Sequence, residues 1–326
     1  RCGTASLLGL AAESNSGTGG RLRCTGSEDL RVHSGRRAQE GGSGFQWVTA
    51  VSKAAALKLA LQQAVDSCLQ QLPEGSSPPT LAIVFVSSRF FTAYPSVVPL
   101  LKELVPSLET VVGCSGFGVI GGALQAADAD PGEGQPIAPS PEEVELVSAV
   151  SVTLTGLPGV ETTCFSLTPG SLPDVDSPQD KWAELVGAPL PSPVSAGSSS
   201  SSGKEIGLQE GKEDPHNTPH FILLGDPAFA ELTDVLQGLD FAYPSSTKVG
   251  GLSSSTSMQE QWCTFCWSAK DGKPEAGVRY GGMVGLGLWG NGLSIEAIVA
   301  QGCRQVGSGT FTITSGRGGV VHEGED

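Results

Sequence analysis

The sequence is short of charge, and most of the charge that it carries is negative. Only 16% of its 326 residues are charged, and the formal net charge is -15. Because no basic face can dominate such a chain, nucleic acid is excluded as a partner and an anionic membrane surface is disfavoured. The sequence also lacks an apolar run of about 18 residues, so no membrane-spanning helix is predicted.

Histidine is scarce and cysteine is thinly spread. The chain has 4 histidines and 8 cysteines, and Cys68, Cys114 and Cys164 lie inside apolar runs. A chain of this length without a dense cysteine framework is expected to keep its cysteines as buried free thiols, in a reducing compartment.

One arrangement of residues occurs twice. The apolar run 81–87 is followed by a helix-like stretch and then by the strand-like segment 111–115, which runs into glycine and serine. Later the run 221–225 is followed in the same way by segment 248–253. Each copy reads strand, helix, strand and tight Gly/Ser turn. The predicted fold class is therefore mixed α/β, with two pseudo-repeated strand–helix–strand units and a largely antiparallel, β-rich C-terminal part.

Changes in composition suggest the domain boundaries. Residues 1–44, rich in Gly, Ser and Arg, are interpreted as a disordered leader or as the remnant of a transit peptide. The first half covers 45–168 and the second half covers 219–326. Between them, the Pro- and Ser-rich stretch 169–218 is predicted to be a linker or an insertion.

Several further elements are predicted from periodicity and turn residues. Apolar positions at three- and four-residue spacing predict one helix over 47–72, and a second helix is predicted over 94–108. Three β-hairpins are expected, which pair 143–155 with 160–167, 282–289 with 293–301, and 311–314 with 319–322.

A dinucleotide-like glycine pattern follows the strand at 111–115. Gly116, Gly118 and Gly121 fit G-x-G-x-x-G, but no helix pattern follows to bring its N-terminus to a pyrophosphate. A glycine turn shaped for close packing is the preferred interpretation, and no cofactor is predicted.

Two motifs invite a catalytic or metal-binding interpretation. Cys114 or Ser115 at a strand end suggests a nucleophile, for which His220 is the only plausible base, so a hydrolase is kept as an alternative. Cys263 and Cys266 form a single C-x-x-C among aromatic residues. Zinc sites usually need a second pair, and in an extended segment these thiols point to opposite faces, so no metal site is predicted.

Charged residues stand at matching strand ends in the two copies. Ser87, Ser88 and Arg89 follow the first core strand, whereas Gly225 and Asp226 follow the second. Arg89 is suited to a carboxylate and Asp226 to an amine, so the pair would suit a zwitterion. The alternatives are helix caps and surface ion pairs. Arg304 after the last apolar run is interpreted as part of an ion pair.

Five segments together resemble the FIST family, named for F-box and intracellular signal transduction. The resemblance spans roughly 45–325 and corresponds to the N-terminal FIST module; the C-terminal half of the family module is interpreted either as lost or as missing from a fragment. It rests on Phe85-Val-Ser-Ser-Arg-Phe90, Val112-Gly-Cys-Ser-Gly-Phe-Gly-Val-Ile-Gly121, Leu224-Gly-Asp-Pro227, Val249-Gly-Gly-Leu-Ser-Ser254, and Gly285-Leu-Gly-Leu through Gln301-Gly-Cys-Arg-Gln-Val-Gly307.

The resemblance implies an intracellular sensory module that binds small ligands, amino acids among them, and passes the signal to attached domains. In eukaryotic relatives the attached element can be an F-box, although no F-box-like pattern precedes residue 45. The chain is thus predicted to be a non-enzymatic ligand-binding sensor, with a small molecule and a protein as partners, in the cytoplasm or a plastid. The alternatives are an F-box-type adaptor with a vestigial pocket and the hydrolase.

The predicted ligand site combines the Gly/Ser turns with the polar strand ends, because backbone N–H groups at glycine turns can recognise a ligand. Its residues are Ser87, Ser88, Arg89, Gly113, Cys114, Ser115, Gly116, Gly225, Asp226, Gly250, Gly251 and Ser253.

Overall fold

The computed structural model describes residues 45–123, 140–174, 176–191, 218–256, 261–271, 277–290, 293–297, 312–317 and 320–325. The predicted leader at 1–44 and Arg304 lie outside these residues. Within the described residues, no helix has the length and apolar character needed to cross a membrane.

Fourteen strands and four α-helices are assigned within the described ranges. The strands are β1 Gln46–Ser52, β2 Leu81–Ser87, β3 Thr110–Gly116, β4 Gly118–Ala123, β5 Ser140–Glu145, β6 Val150–Gly156, β7 Val160–Leu167, β8 His220–Gly225, β9 Lys248–Leu252, β10 Thr264–Ser268, β11 Val278–Arg279, β12 Met283–Gly290, β13 Thr312–Arg317 and β14 Val320–Glu325. The helices are α1 Leu57–Gln71, α2 Val97–Leu104, α3 Gln179–Val186 and α4 Leu232–Ala242.

The described residues form two main sheets, one of six strands and one of four. The first runs β1-β6-β2-β3-β10-β11 and the second runs β7-β12-β8-β9. In each, one parallel pair is joined through a helix, β2 to β3 by way of α2 and β8 to β9 by way of α4. The other pairings in both sheets are antiparallel. The mixed α/β class predicted from the sequence is confirmed.

The two sheets pack face to face with helices on both outer faces, which gives four layers. Alternation along each strand explains this, because successive side chains point to opposite faces. In β2, Ala82 and Val84 pack with α1 and α2, whereas Leu81 and Ile83 face the second sheet. In β8, Ile222 faces the first sheet; the side chains of β7, β8 and β12 that pack under α3 and α4 are Phe165, Leu167, Phe221, Leu223 and Met283.

The N-terminal helix predicted over 47–72 is wrong in its first part. Residues Gln46–Ser52 form strand β1, which pairs along its whole length with β6, and helix α1 begins only at Leu57. The spacing of Val48, Val51 and Ala55 suits a helix, but tertiary pairing with β6 overrides it. The second predicted helix is also shorter than expected, because Ser88–Ser96 is a 3₁₀ segment and α2 begins at Val97.

The hairpin expected between 143–155 and 160–167 does not form. Strand β6 is already flanked by β1 and β2 in the first sheet, so it has no free edge for β7. The chain passes Pro158-Gly159 and enters the second sheet, where β7 pairs with β12. The predicted strand 143–155 is itself two strands, because the chain between β5 and β6 passes through Leu146 with φ 63°.

The hairpin expected around Gly290 fails for the same reason. Strand β12 lies between β7 and β8, which occupy both of its edges. Residues 293–297 are not a strand, although Ile295 is buried between the sheets, and 298–301 lie outside the described residues. The last predicted hairpin is confirmed with bounds shifted toward the C-terminus, since β13 and β14 pair antiparallel; residues 311 and 319 lie outside the described residues.

The expectation of free thiols is wrong for two cysteines. Cys164 of β7 and Cys266 of β10 form a disulfide that joins the two sheets across their shared apolar layer. Cys68, Cys114 and Cys263 are buried and free, as expected. The sequence separation of 102 between the bonded cysteines explains why spacing alone did not indicate the pair.

A tight contact between α3 and α4 gives a first testable prediction. A Cβ atom at Gly238 would lie closer than 3.0 Å to ring atoms of Trp182, which is 3% exposed. We expect Gly238→Ala to lower the free energy of unfolding by about 1–3 kcal/mol, because overpacking a core costs that much. Urea unfolding with intrinsic fluorescence measures the change.

Trp182→Phe should rescue this variant. The buried indole N–H of Trp182 has no hydrogen-bond partner among the described residues, so the smaller ring removes the clash without losing a hydrogen bond. The double variant should lose less stability than the two single losses added together. If the stability losses of the two single variants simply add in the double variant, the contact between Gly238 and Trp182 is contradicted.

Candidate functional site

The two parallel strand pairs end on the same side of the molecule. Strands β2 and β3 end at Ser87 and Gly116, and strands β8 and β9 end at Gly225 and Leu252. Backbone and side-chain hydrogen bonds link these ends across the two units. The carboxyl ends of parallel strands are where open α/β folds commonly bind ligands.

Equivalent glycines allow the parallel strands to approach closely. Gly113 is paired with Val84, and Gly250 is paired with Leu223. A Cβ atom at either glycine would lie closer than 3.0 Å to the carbonyl oxygen of its paired residue. These two predicted site residues therefore serve strand packing, and Gly251 lies next to Gly250 within β9.

The segment after β9 crosses from the second unit to the first. The backbone N–H of Ser253 donates to the Gly225 carbonyl at 2.8 Å, and that of Ser254 donates to the Ser115 carbonyl at 3.1 Å. The N–H of Thr256 then donates to Ser88 Oγ at 3.1 Å. We call the resulting group the strand-end cluster; it consists of Ser88, Ser115, Asp226, Ser253, Ser254, Thr256 and Trp262.

The serine hydroxyls predicted to contact a ligand already have protein partners. Ser115 Oγ accepts the backbone N–H of Cys263 at 2.9 Å, and Ser87 Oγ accepts that of Ala149 at 3.0 Å. Ser253 Oγ donates to the Gly225 carbonyl at 3.2 Å. Each of these serines is nearly fully buried. Their hydrogen bonds hold the ends of the strands together.

Asp226 is the one acidic side chain among the described buried residues. It is 6% exposed, and its Oδ1 accepts the Ala228 N–H at 2.7 Å and the Trp262 Nε1–H at 2.8 Å. No described cationic nitrogen lies within 4.0 Å of the carboxylate, and no described group donates to Oδ2. The first bond is the local turn cap that the sequence suggested as an alternative, whereas Trp262 comes from far along the chain.

The Arg89 side chain contacts a different segment. It is exposed, and its Nε donates to the Leu146 carbonyl at 3.3 Å in the segment between β5 and β6. Its joint role with Asp226 toward a zwitterion stays a prediction.

The nucleophile and the base of the hydrolase alternative are not brought together. Burial raises the pKa of the Cys114 thiol to about 12, so the thiolate is scarce at neutral pH. His220 lies at the start of β8, at the opposite end of that strand from Gly225, and its Nδ1 accepts the Thr247 N–H at 3.0 Å. Burial, followed by the charge of Lys248, lowers the pKa of His220.

The two cysteines of the C-x-x-C motif point to opposite faces, as the sequence indicated. Cys263 and Cys266 face different apolar layers, and the described residues contain no group of metal-ligating side chains. No helix follows Gly116. The glycine pattern expected to form a turn continues as strand β4, Gly118–Ala123, paired with β5. The close packing expected of it is confirmed, because a Cβ atom at Gly116, Gly118 or Gly121 would lie closer than 3.0 Å to a neighbouring atom.

The comparison with known families bears on the whole arrangement. The model of the FIST N domain matches residues 80–323, a range that contains every residue of the strand-end cluster. The chain belongs to the FIST family. FIST domains are in general sensory domains of signal transduction. No curated protein matches the chain.

Sequence reasoning missed three residues of this FIST chain's strand-end cluster, namely Ser254, Thr256 and Trp262. Ser254 was part of a family-like segment but was not assigned a contact. Trp262 was considered only as a neighbour of the C-x-x-C motif. The serine-rich run directly after the paired glycines was the available signal, because serines at a strand end commonly bond to nearby backbone.

Proposed function

We propose that this FIST chain is a non-enzymatic sensor that binds a small molecule with a cationic amine, such as an amino acid, at the strand-end cluster. The family supplies the sensory role. The observation that carries the ligand class is Asp226, a buried carboxylate without a cationic neighbour among the described residues.

Burial of an unpaired charge is costly, and proteins usually offset it with hydrogen bonds and an opposite charge. Asp226 has the hydrogen bonds, both on Oδ1. An ammonium group on the ligand would supply the missing charge and would bind through Oδ2. His220, the base suggested for Cys114 or Ser115, lies at the opposite end of β8 from Gly225, which supports binding without chemistry.

Calorimetric titration with amino acids and simple amines tests the proposal. The wild-type chain should bind at least one of them, and Asp226→Asn should weaken that binding by about 30-fold or more, since removing one partner of a buried charge pair costs about 2 kcal/mol or more. The isosteric amide keeps the local turn cap but removes the charge.

Asp234→Asn is the matched control, because Asp234 is an exposed carboxylate on α4. It should bind like wild type. Equal affinity in all three proteins would contradict the role of Asp226, and binding of carboxylates or nucleotides alone would contradict the ligand class.

A further inference from the structure

A two-residue stretch of backbone joins Asp226 in the second unit to Ser115 in the first. Trp262 Nε1–H donates to Asp226 Oδ1 at 2.8 Å. The next residue, Cys263, donates its N–H to Ser115 Oγ at 2.9 Å and accepts the Ser115 N–H at 2.9 Å. Strand β10 begins immediately afterwards at Thr264.

We propose that Trp262 is a positioning residue that orients the Asp226 carboxylate and passes its state to the edge of the first sheet formed by β10 and β11. The inference rests on the proposed function, because the state in question is whether Asp226 holds a ligand cation. Among the described strands, β11 is the last in the first sheet, so this edge is the surface at which a response would become visible to a partner.

The chemistry of the contact favours this role. A hydrogen bond from a neutral N–H to a carboxylate is strengthened by the negative charge, so it weakens when a cation neutralises or draws away that carboxylate. The indole is tied to a single oxygen, Oδ1, and therefore responds directly to a turn of the carboxylate group.

The response would pass through Cys263 and would end at Cys266. Cys263 is 1% exposed, and both its N–H and its carbonyl oxygen are hydrogen-bonded to Ser115. We therefore expect movement of Trp262 to disturb this pairing. At the other end of the path, the disulfide anchors Cys266 to β7. Displacement is thereby concentrated at the beginning of β10, where Thr264 pairs with Arg279 of β11.

We call the coupling from Asp226 through Trp262 to Cys263 the relay. Hydrogen exchange on the ligand-free chain tests it independently of ligand binding. We expect Asp226→Asn and Trp262→Phe each to speed exchange of the Cys263 and Thr264 amides by about tenfold, because local opening becomes easier, while the Val152 amide in β6 keeps its wild-type rate. Trp289→Phe, at the far end of β12, is the control and should leave the Cys263 rate unchanged.

The indole resonances report the contact between Trp262 and Asp226 directly. Trp262→Phe identifies the Nε1–H peak of Trp262 among those of the 5 tryptophans. In Asp226→Asn this peak should shift while the other four stay in place. An unmoved peak together with Cys263 exchange within twofold of wild type would overturn the relay.

Adding methylammonium chloride to the wild-type chain separates the relay from the proposed function. Heat of binding with a shifted Trp262 peak supports both. Binding with an unmoved peak overturns the relay alone. Absence of binding with the variant effects intact contradicts the proposed binding of simple amines and supports the relay's structural coupling.

Discussion

Replacing Gly113 by alanine is expected to destabilise the chain by about 3 kcal/mol or more, at the upper end of overpacking costs. The added Cβ would lie closer than 3.0 Å to the Val84 carbonyl oxygen. This obstacle is backbone and cannot rotate away, so the paired strands β2 and β3 must separate. Gly250→Ala should have a comparable effect in the second sheet, where the obstacle is the Leu223 carbonyl oxygen.

Gly156→Ala in β6 is the control for both variants. A Cβ atom there meets its nearest neighbour at 3.5 Å, an ordinary contact. This variant should be neutral or stabilised by about 0.4–1 kcal/mol, since alanine reduces the freedom of the unfolded chain. Urea unfolding of the three variants provides the measurement. Wild-type stability of Gly113→Ala would show that the strands do not approach as described.

Reducing the disulfide between Cys164 and Cys266 is expected to have an effect of similar size. The bond closes a loop of 102 residues, for which the chain-entropy account predicts about 4.7 kcal/mol of stabilisation. The melting temperature should therefore fall by on the order of 10 °C when a phosphine reductant is added.

The double variant Cys164→Ala/Cys266→Ala provides the control for the reductant. Its melting temperature should be lower than that of the unreduced wild-type chain, and adding the phosphine should not change it further. Peptide mapping without prior reduction should recover the two segments linked. Complete alkylation of both cysteines in the unreduced chain would contradict the bond and would restore the expectation of free thiols.

The elements that the sequence predicted well are those whose pattern is local. The apolar run of β2 is buried on both faces, so it lacks alternation and stands out against the Pro and Ser residues around it. The same holds for β8. In β1, by contrast, the apolar spacing also fits a helix, and only the distant strand β6 decides the outcome.

Strand pairing was harder to predict than strand position. Segments that are neighbours in sequence, such as β6 and β7, have the turn residues of a hairpin, yet they enter different sheets because other strands occupy the edges of β6. Edge occupancy depends on the whole topology. A single sequence does not display it. The pairing of Cys164 with Cys266 was missed for a different reason, because it depends on how the two sheets stack face to face.

The candidate site was predicted in part for a physical reason. Ser88, Ser115 and Asp226 were selected because polar residues stood at equivalent strand ends, and the structure connects them through the segment 253–256 and Trp262. Local sequence patterns could not predict that the strand ends of the two units are connected by hydrogen bonds. Whether a ligand uses these residues is the remaining prediction.

A thermal-shift comparison of wild type and Asp226→Asn, screened against amino acids, amines, small carboxylates and nucleotides, tests the central proposal most directly. A ligand that binds only the folded chain stabilises it and so raises its melting temperature. At a ligand concentration of 100 times the dissociation constant, the free energy of unfolding increases by about 2.7 kcal/mol. We predict a rise with amine-bearing compounds in wild type and none in Asp226→Asn. A rise of equal size in both proteins, or no rise with any amine, would contradict the proposal.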